Sequence, residues 1–280
     1  MKTANAQPHP INILLAGIYL YFGVLGDACA EPQPKWEIGA SIGVISIADY
    51  RGSENIQSRA LVFPYIVYRS KLLRADRDGL RGLLFSSNDV ELNISMNASL
   101  TTEADDNPLR QGMPELDPTF ELGPALDINL TGESLREGWM LRLPLRAVVS
   151  FSEDGFHHVG SVFNPGLRWL HDAKNDWRIH FTGGLIYGND RYHRYYYSVD
   201  PQFATPDRPV FQTSAGYSGF SNQITLTRHK NRFWYGGYLR YDNLSNAEFI
   251  RSPLVETDHY YAIGLAVGWV FAESETTAPY

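Results

Sequence analysis

His259-Tyr260-Tyr261-Ala262-Ile263-Gly264-Leu265-Ala266-Val267-Gly268-Trp269-Val270-Phe271 is the stretch that decides the fold. From Tyr261 its odd positions carry Ile263, Leu265, Val267, Trp269 and Phe271, while its even positions carry Ala262, Gly264, Ala266 and Gly268. Successive side chains of a strand point to opposite faces, so this segment has one large apolar face and one small face. Trp36, Ile38, Ala40, Ile42 and Val44 oppose Glu37, Gly39, Ser41 and Gly43 in the same way near the other end.

Working inward, the second face becomes polar. Val90, Leu92, Ile94 and Met96 alternate with Glu91, Asn93, Ser95 and Asn97. Phe120, Leu122, Leu126 and Ile128 alternate with Glu121, Asp127 and Asn129. Trp139, Leu141, Leu143 and Leu145 alternate with Arg142 and Arg146, and Trp177, Ile179 and Phe181 with Arg178 and His180. A soluble sandwich alternates too. Two features favour a transmembrane barrel instead: aromatic residues at the ends of the apolar face, as in interfacial girdles, and segments of about 9–14 residues, long enough to cross a bilayer at a tilt.

The alternation predicts an all-β fold, a closed antiparallel transmembrane β-barrel of about twelve strands. They are expected near 36–47, 59–69, 71–76, 80–86, 89–99, 117–130, 138–150, 157–171, 176–188, 214–229, 232–243 and 259–271. An even count puts both chain ends on one side, the periplasm. The connections at that end, near 70, 87, 131–137, 172–175 and 230–231, are short. The long ones, 48–58, 100–116, 189–213 and 244–258, all fall outside. That parity is the outer-membrane arrangement. The tight outer turn is Arg77-Asp78-Gly79.

The N-terminus supplies the export route. Lys2, the apolar run 11–25 and Ala28-Cys29-Ala30 read as a signal peptide, 1–30, cleaved before Glu31. A retained anchor and a lipoprotein centred on Cys29 are the competing readings; Gly26 and Asp27 fit a lipobox poorly. Cleavage removes the single cysteine, so residues 31–280 form a barrel domain without thiol chemistry. The net charge stays at −7, which argues against a nucleic-acid partner. Outside the leader, no apolar run is long enough for a membrane helix.

Tyr50-Arg51-Gly52-Ser53, Pro64-Tyr65, Leu109 with Gly112-Met113, Phe120-Glu121-Leu122-Gly123, Tyr196-Tyr197-Ser198-Val199 and Ser252-Pro253-Leu254-Val255 occur in an order that resembles the MipA/OmpV family of outer-membrane proteins. Ser198 stands where the family pattern has Gly. The likeness spans essentially the whole mature chain. It implies an outer-membrane barrel without enzymatic activity, a scaffold bridging a murein transglycosylase and a murein synthase. Family members are also linked to osmotic adaptation, adhesion or small-molecule entry.

Catalytic motifs are absent: no G-x-S-x-G, H-E-x-x-H or phosphate loop appears, and no catalytic, cofactor or metal set is expected. His157-His158 are adjacent on a strand and cannot readily chelate one ion. His180 could join a luminal triad, the one route to a lipid-modifying barrel enzyme. His193 and His229 have no partner at suggestive spacing. A candidate luminal set gathers Glu37, Glu91, Glu121 and Asp127 with Arg142, Arg146, Arg168, Arg178, His180 and Arg240. Such charges either plug the barrel with ion pairs, the favoured reading, or line a narrow pore for small polar solutes. Arg191, Tyr192, Tyr195, Tyr196 and Tyr197 mark a loop for recognition, for closing the mouth or for interface anchoring. Asp49-Tyr50-Arg51-Gly52-Ser53 reads as turn chemistry. The expected surroundings are outer-membrane lipid and lipopolysaccharide.

Overall fold

Alternation of this kind buries one face of every strand, and the computed structural model shows which face it is. It describes residues 34–70, 73–76, 79–99, 107–132, 135, 137–152 and 154–277. The expected leader, 1–30, and Arg77-Asp78 of the expected tight turn lie outside the described residues. The first strands are β1 (Trp36–Ala48), β2 (Ile56–Arg69), β3 (Leu73–Asp76), β4 (Gly79–Ser86), β5 (Val90–Ser99), β6 (Thr119–Asn129) and β7 (Gly138–Ser152). They continue with β8 (Gly155–Phe163), β9 (Gly166–Ala173), β10 (Trp177–Gly188), β11 (Gly216–Lys230), β12 (Phe233–Asn243) and β13 (His259–Glu273). A helix, α1 (Asp190–Tyr197), and a 3-10 turn, Pro201–Phe203, lie between β10 and β11.

All pairings are antiparallel. They run from β1 through β7, pass by β8 and β9 to β10, continue to β13 and return to β1. Each strand has a partner on both sides, although β2 meets β3 only at Tyr68 and Arg69 and β8 meets β10 only at Val162 and Phe163. The strand expected over 157–171 is divided. Asn164-Pro165 separates β8 from β9, because proline has no N–H to give the ladder. The two pieces lie in series between β7 and β10, each bonded to both. Counted as one leg they restore the expected twelve.

The large apolar face is the exposed one. On β13, Tyr261, Ile263, Leu265, Trp269 and Phe271 are half or more exposed, while Ala262 and Val270 are buried. Charge is on the buried face: Glu37, Glu91, Asp127 and Arg168 are each no more than 3% exposed. This inverts a water-soluble core. Two aromatic belts ring the outer face. Trp139 meets Trp169 and Phe181 at 6.2 Å, and Trp269 meets Phe271 at 5.8 Å, at the short-turn end. Phe151–Phe156 at 5.0 Å, Tyr187–Tyr217 at 5.9 Å and Tyr241–Tyr261 at 5.2 Å form the belt at the long-loop end.

The β1–β13 seam joins the two ends of the strand series and is irregular at Ile38/Gly39. There the backbones approach so closely that a Cβ on Gly39 would lie 2.2 Å from the Trp269 carbonyl oxygen. Gly39→Val is therefore expected to force this seam apart and cost about 3 kcal/mol or more. Urea unfolding followed by tryptophan fluorescence checks this, against Ala40→Val at the exposed neighbour, which should stay near wild type.

Candidate functional site: a capped polar cavity

The four long connections fold on one another. Tyr50, Leu116, Tyr197, Val199, Leu244, Ala247, Phe249 and Leu254 form one buried apolar cluster drawn from all four. Tyr197 stacks on Phe249 with ring centroids 3.6 Å apart. Side chains bond across the cluster: Tyr50 Oη donates to Leu254 O at 2.7 Å, Tyr197 Oη to Arg51 O at 2.9 Å and Ser252 Oγ to Tyr197 O at 2.6 Å. Arg110 and Arg208 are buried here, and both donate to backbone carbonyls: Arg110 to Tyr196 O, Arg208 to Leu109 O. The result is a cap with its own core.

The segment expected as a loop over 191–197 is helix α1. Asn189 starts it by accepting the Tyr192 N–H at 2.9 Å, and Asp190 and Arg194 suit the two ends of the helix dipole. The short helix packs inside the strand ring. Tyr192 and Tyr195 lie against Val148, Val159, Val162 and Ile186, and Gly160 (φ +139°) leaves the space that a Cβ would deny to the Tyr192 backbone. Tyr197 is buried, which removes the interface-anchor reading for this residue. Arg191 reaches His158 at 3.3 Å on the rim.

Beneath the cap lies a cavity of about 510 Å³, roofed by Tyr50, Tyr192, Tyr196 and Tyr197 and walled by the inner face of the strands. The candidate inner-face residues fall into separate clusters. Arg146 pairs with Glu121 at 2.8 Å. Arg142 pairs with Asp127 at 2.9 Å, and Asn93 bridges Asp127 to Glu91. Arg168 donates to His180 Nε2 at 2.6 Å, and Thr182 lies 3.3 Å from the same nitrogen. Glu37 is not at the cavity; near the short-turn end it meets Arg69 at 2.7 Å and His229 at 3.4 Å. Arg178 pairs with Asp172 toward solvent. Arg240 holds Asp242 through two bonds, 2.9 and 2.7 Å.

Three expectations change. Arg51 belongs to more than a turn: Gly52 (φ +101°) makes the bend, and Arg51 reaches inward to Asp242 at 2.6 Å and to Ser218 O at 2.7 Å. His229 has Glu37 beside it. His193 is fully buried, 2.6 Å from the Ser214 carbonyl through Nδ1 and 5.2 Å from Phe249 by ring centroids. Alternation along strands finds Arg240 but not these partners, because Arg51 and His193 sit in connections and pair across more than 20 residues. The described residues hold no cluster of three His, Cys, Asp or Glu able to bind a metal.

The strands bury charge and expose hydrocarbon, which defines an antiparallel β-protein with inverted faces and a capped polar interior. The chain belongs to the family described as MltA-interacting protein MipA, whose model matches residues 38–271. No curated protein matches the sequence. Among solved structures, a bacterial polysaccharide outer membrane secretin is similar at TM-score 0.42 and 7% identity, over 84% of this chain and 99% of that one. An outer membrane channel from Pseudomonas putida F1 gives 0.37 and 12%, over 89% and 100%. Outer membrane phospholipase A from Escherichia coli gives 0.32 and 10%, over 88% and 94%. At these scores the likeness is loose and says nothing about activity.

Asp242→Asn leaves the Arg51 and Arg240 guanidinium groups facing each other and is expected to cost about 3–5 kcal/mol in urea unfolding. Arg178→Gln, at the exposed pair, should cost at most about 1 kcal/mol. Burial lowers the His193 pKa below its ordinary 6.5, with Arg51 acting in the same direction and the Ser214 carbonyl, Glu248 and Asp190 opposing. The folded cap then takes up a proton less readily than the unfolded chain, so its stability is full above 6.5 and declines as pH falls below it. Limited proteolysis of the cap at matched protease activity should accelerate at low pH in wild type, with the acceleration reduced in His193→Phe.

Proposed function

We propose that this chain is a closed outer-membrane β-barrel, residues 31–280, exported by a cleaved leader, that acts as a non-enzymatic envelope scaffold. Lipid and lipopolysaccharide cover its exposed face. Tyr261 and Trp269, one from each aromatic belt on β13, are eight positions apart. That is about 26 Å along a strand, or about 20 Å of height at the usual tilt, close to the apolar band of outer-membrane barrels.

The observation that carries the scaffold reading is the cap. A mouth covered by a core drawn from four connections, above an interior crossed by ion pairs, is poorly arranged for conduction. The family description, MltA-interacting protein, supports a partner of the MltA type; the murein transglycosylase and the murein synthase are what the family resemblance implies. His180 supports no catalytic role: its Nε2 faces a guanidinium donor, which disfavours proton uptake from a serine.

Purified protein in planar bilayers is expected to be silent. Steady single-channel steps from the unaltered chain would refute the plugged reading. Tyr197→Ala combined with Phe249→Ala should introduce conductance, since each truncation empties a core position at about 3–5 kcal/mol. Protein in lipid nanodiscs should retain a purified murein transglycosylase of the MltA type on an affinity column; a transglycosylase that passes through unretained refutes the scaffold.

A further inference from the structure

Arg51 and Arg240 share one carboxylate. Asp242 is fully buried and receives Arg51 at 2.6 Å and Arg240 at 2.9 and 2.7 Å. The other hydrogen bonds of Arg51 go to the carbonyl and hydroxyl of Ser218, which carry no charge. Elsewhere on the cavity wall Arg146 pairs with Glu121 and Arg142 with Asp127, Arg168 donates to His180, and Asp49 and Asp117 line the wall as well. Two guanidinium ions over one carboxylate leave a single positive charge, and both arginines line the cavity.

Tyr192, Tyr238 and Tyr260 line the same cavity, and among the described residues their hydroxyls meet no protein acceptor. The three are partly buried, and their hydroxyls are open to the cavity as donors and acceptors. Their rings are held in place. Arg240 lies 5.5 Å over the Tyr260 ring, and Tyr238 fits against Gly264, where a Cβ would come within 2.4 Å of its ring. Gly219 serves Arg51 alike: with φ +113° and no side chain, it leaves room 2.8 Å from the guanidinium.

We propose that this wall binds the carboxylate of a small organic acid, with the tyrosine hydroxyls and the shared guanidinium pair as donors. The single positive charge of the Arg51–Asp242–Arg240 group matches a monoanion better than a phosphate dianion. Charge-assisted bonds from O–H and N–H donors are the strong kind. The cavity, about 510 Å³, falls in the usual range for small-ligand sites, and aromatic rings cover the ligand body.

The full chain, folded in detergent in Tris chloride, is titrated calorimetrically with benzoate and glucuronate, with their neutral counterparts benzyl alcohol and glucose, and with inorganic phosphate. At least one carboxylate should bind about tenfold or more tighter than its neutral counterpart and tighter than phosphate. The combined Tyr192→Phe, Tyr238→Phe and Tyr260→Phe variant should weaken that binding by about tenfold or more. Its urea midpoint should not fall, because among the described residues these hydroxyls have no protein partner. Equal affinity for acid and neutral partner, preference for phosphate, no heat from any probe at millimolar concentration, or unchanged binding in the triple variant would each overturn the site. The readout is binding alone, so it stands apart from conductance and from partner capture.

Discussion

A backbone amide in these strands has nowhere to turn but sideways. Strand bonds to strand along the whole series, and the β1–β13 seam joins its last member to its first. That constraint sets the rest. A sheet of twelve legs has two faces, one buried and one exposed, and alternation then assigns every strand side chain to one of them. It also explains the glycines at the seam: where backbones are drawn this close, as at Gly39, no side chain is admissible.

The inner face must then hold polar groups away from bulk water, and it does so by local pairing. Arg146–Glu121 and Arg142–Asp127 each join neighbouring strands β7 and β6, so the charges are neutralised within the wall. Buried pairs of this kind contribute little net stability when intact but much when one partner is removed. They fix register: sliding β7 by one residue would turn both arginines toward the apolar surround. The Arg51–Asp242–Arg240 group differs in kind, because it ties a connection to a strand and leaves a charge over.

How much of this was legible follows from what period two can encode. Strand positions, the twelve legs and the alternation of faces were all readable, since each depends only on residues two apart. The break at Asn164-Pro165 was readable in principle from the proline, but alternation continues across it and masks the interruption. The cap was not. Residues 191–197 form α1 because Asn189 caps it and because Gly160 admits it to the inner face of β8, and the second condition is tertiary. Arg51 looked like part of a turn because the turn is real; its side chain answers to Asp242, 191 positions away.

The cap and the cavity also depend on each other. α1 enters the ring only by covering polar wall, and its tyrosines can tolerate that wall because a phenol offers an apolar ring and a polar tip. Tyr196 and Tyr197 satisfy their tips within the protein, on Thr119 and on the Arg51 carbonyl, and so serve the cap. Tyr192, one turn earlier on the same helix, packs its ring on Tyr196 at 5.2 Å yet leaves its hydroxyl to the cavity. One helix thus builds the cap with some side chains and furnishes the cavity beneath it with another. A seal made only to exclude water would have no use for a phenol at that position; phenylalanine would pack as well and leave no donor unspent.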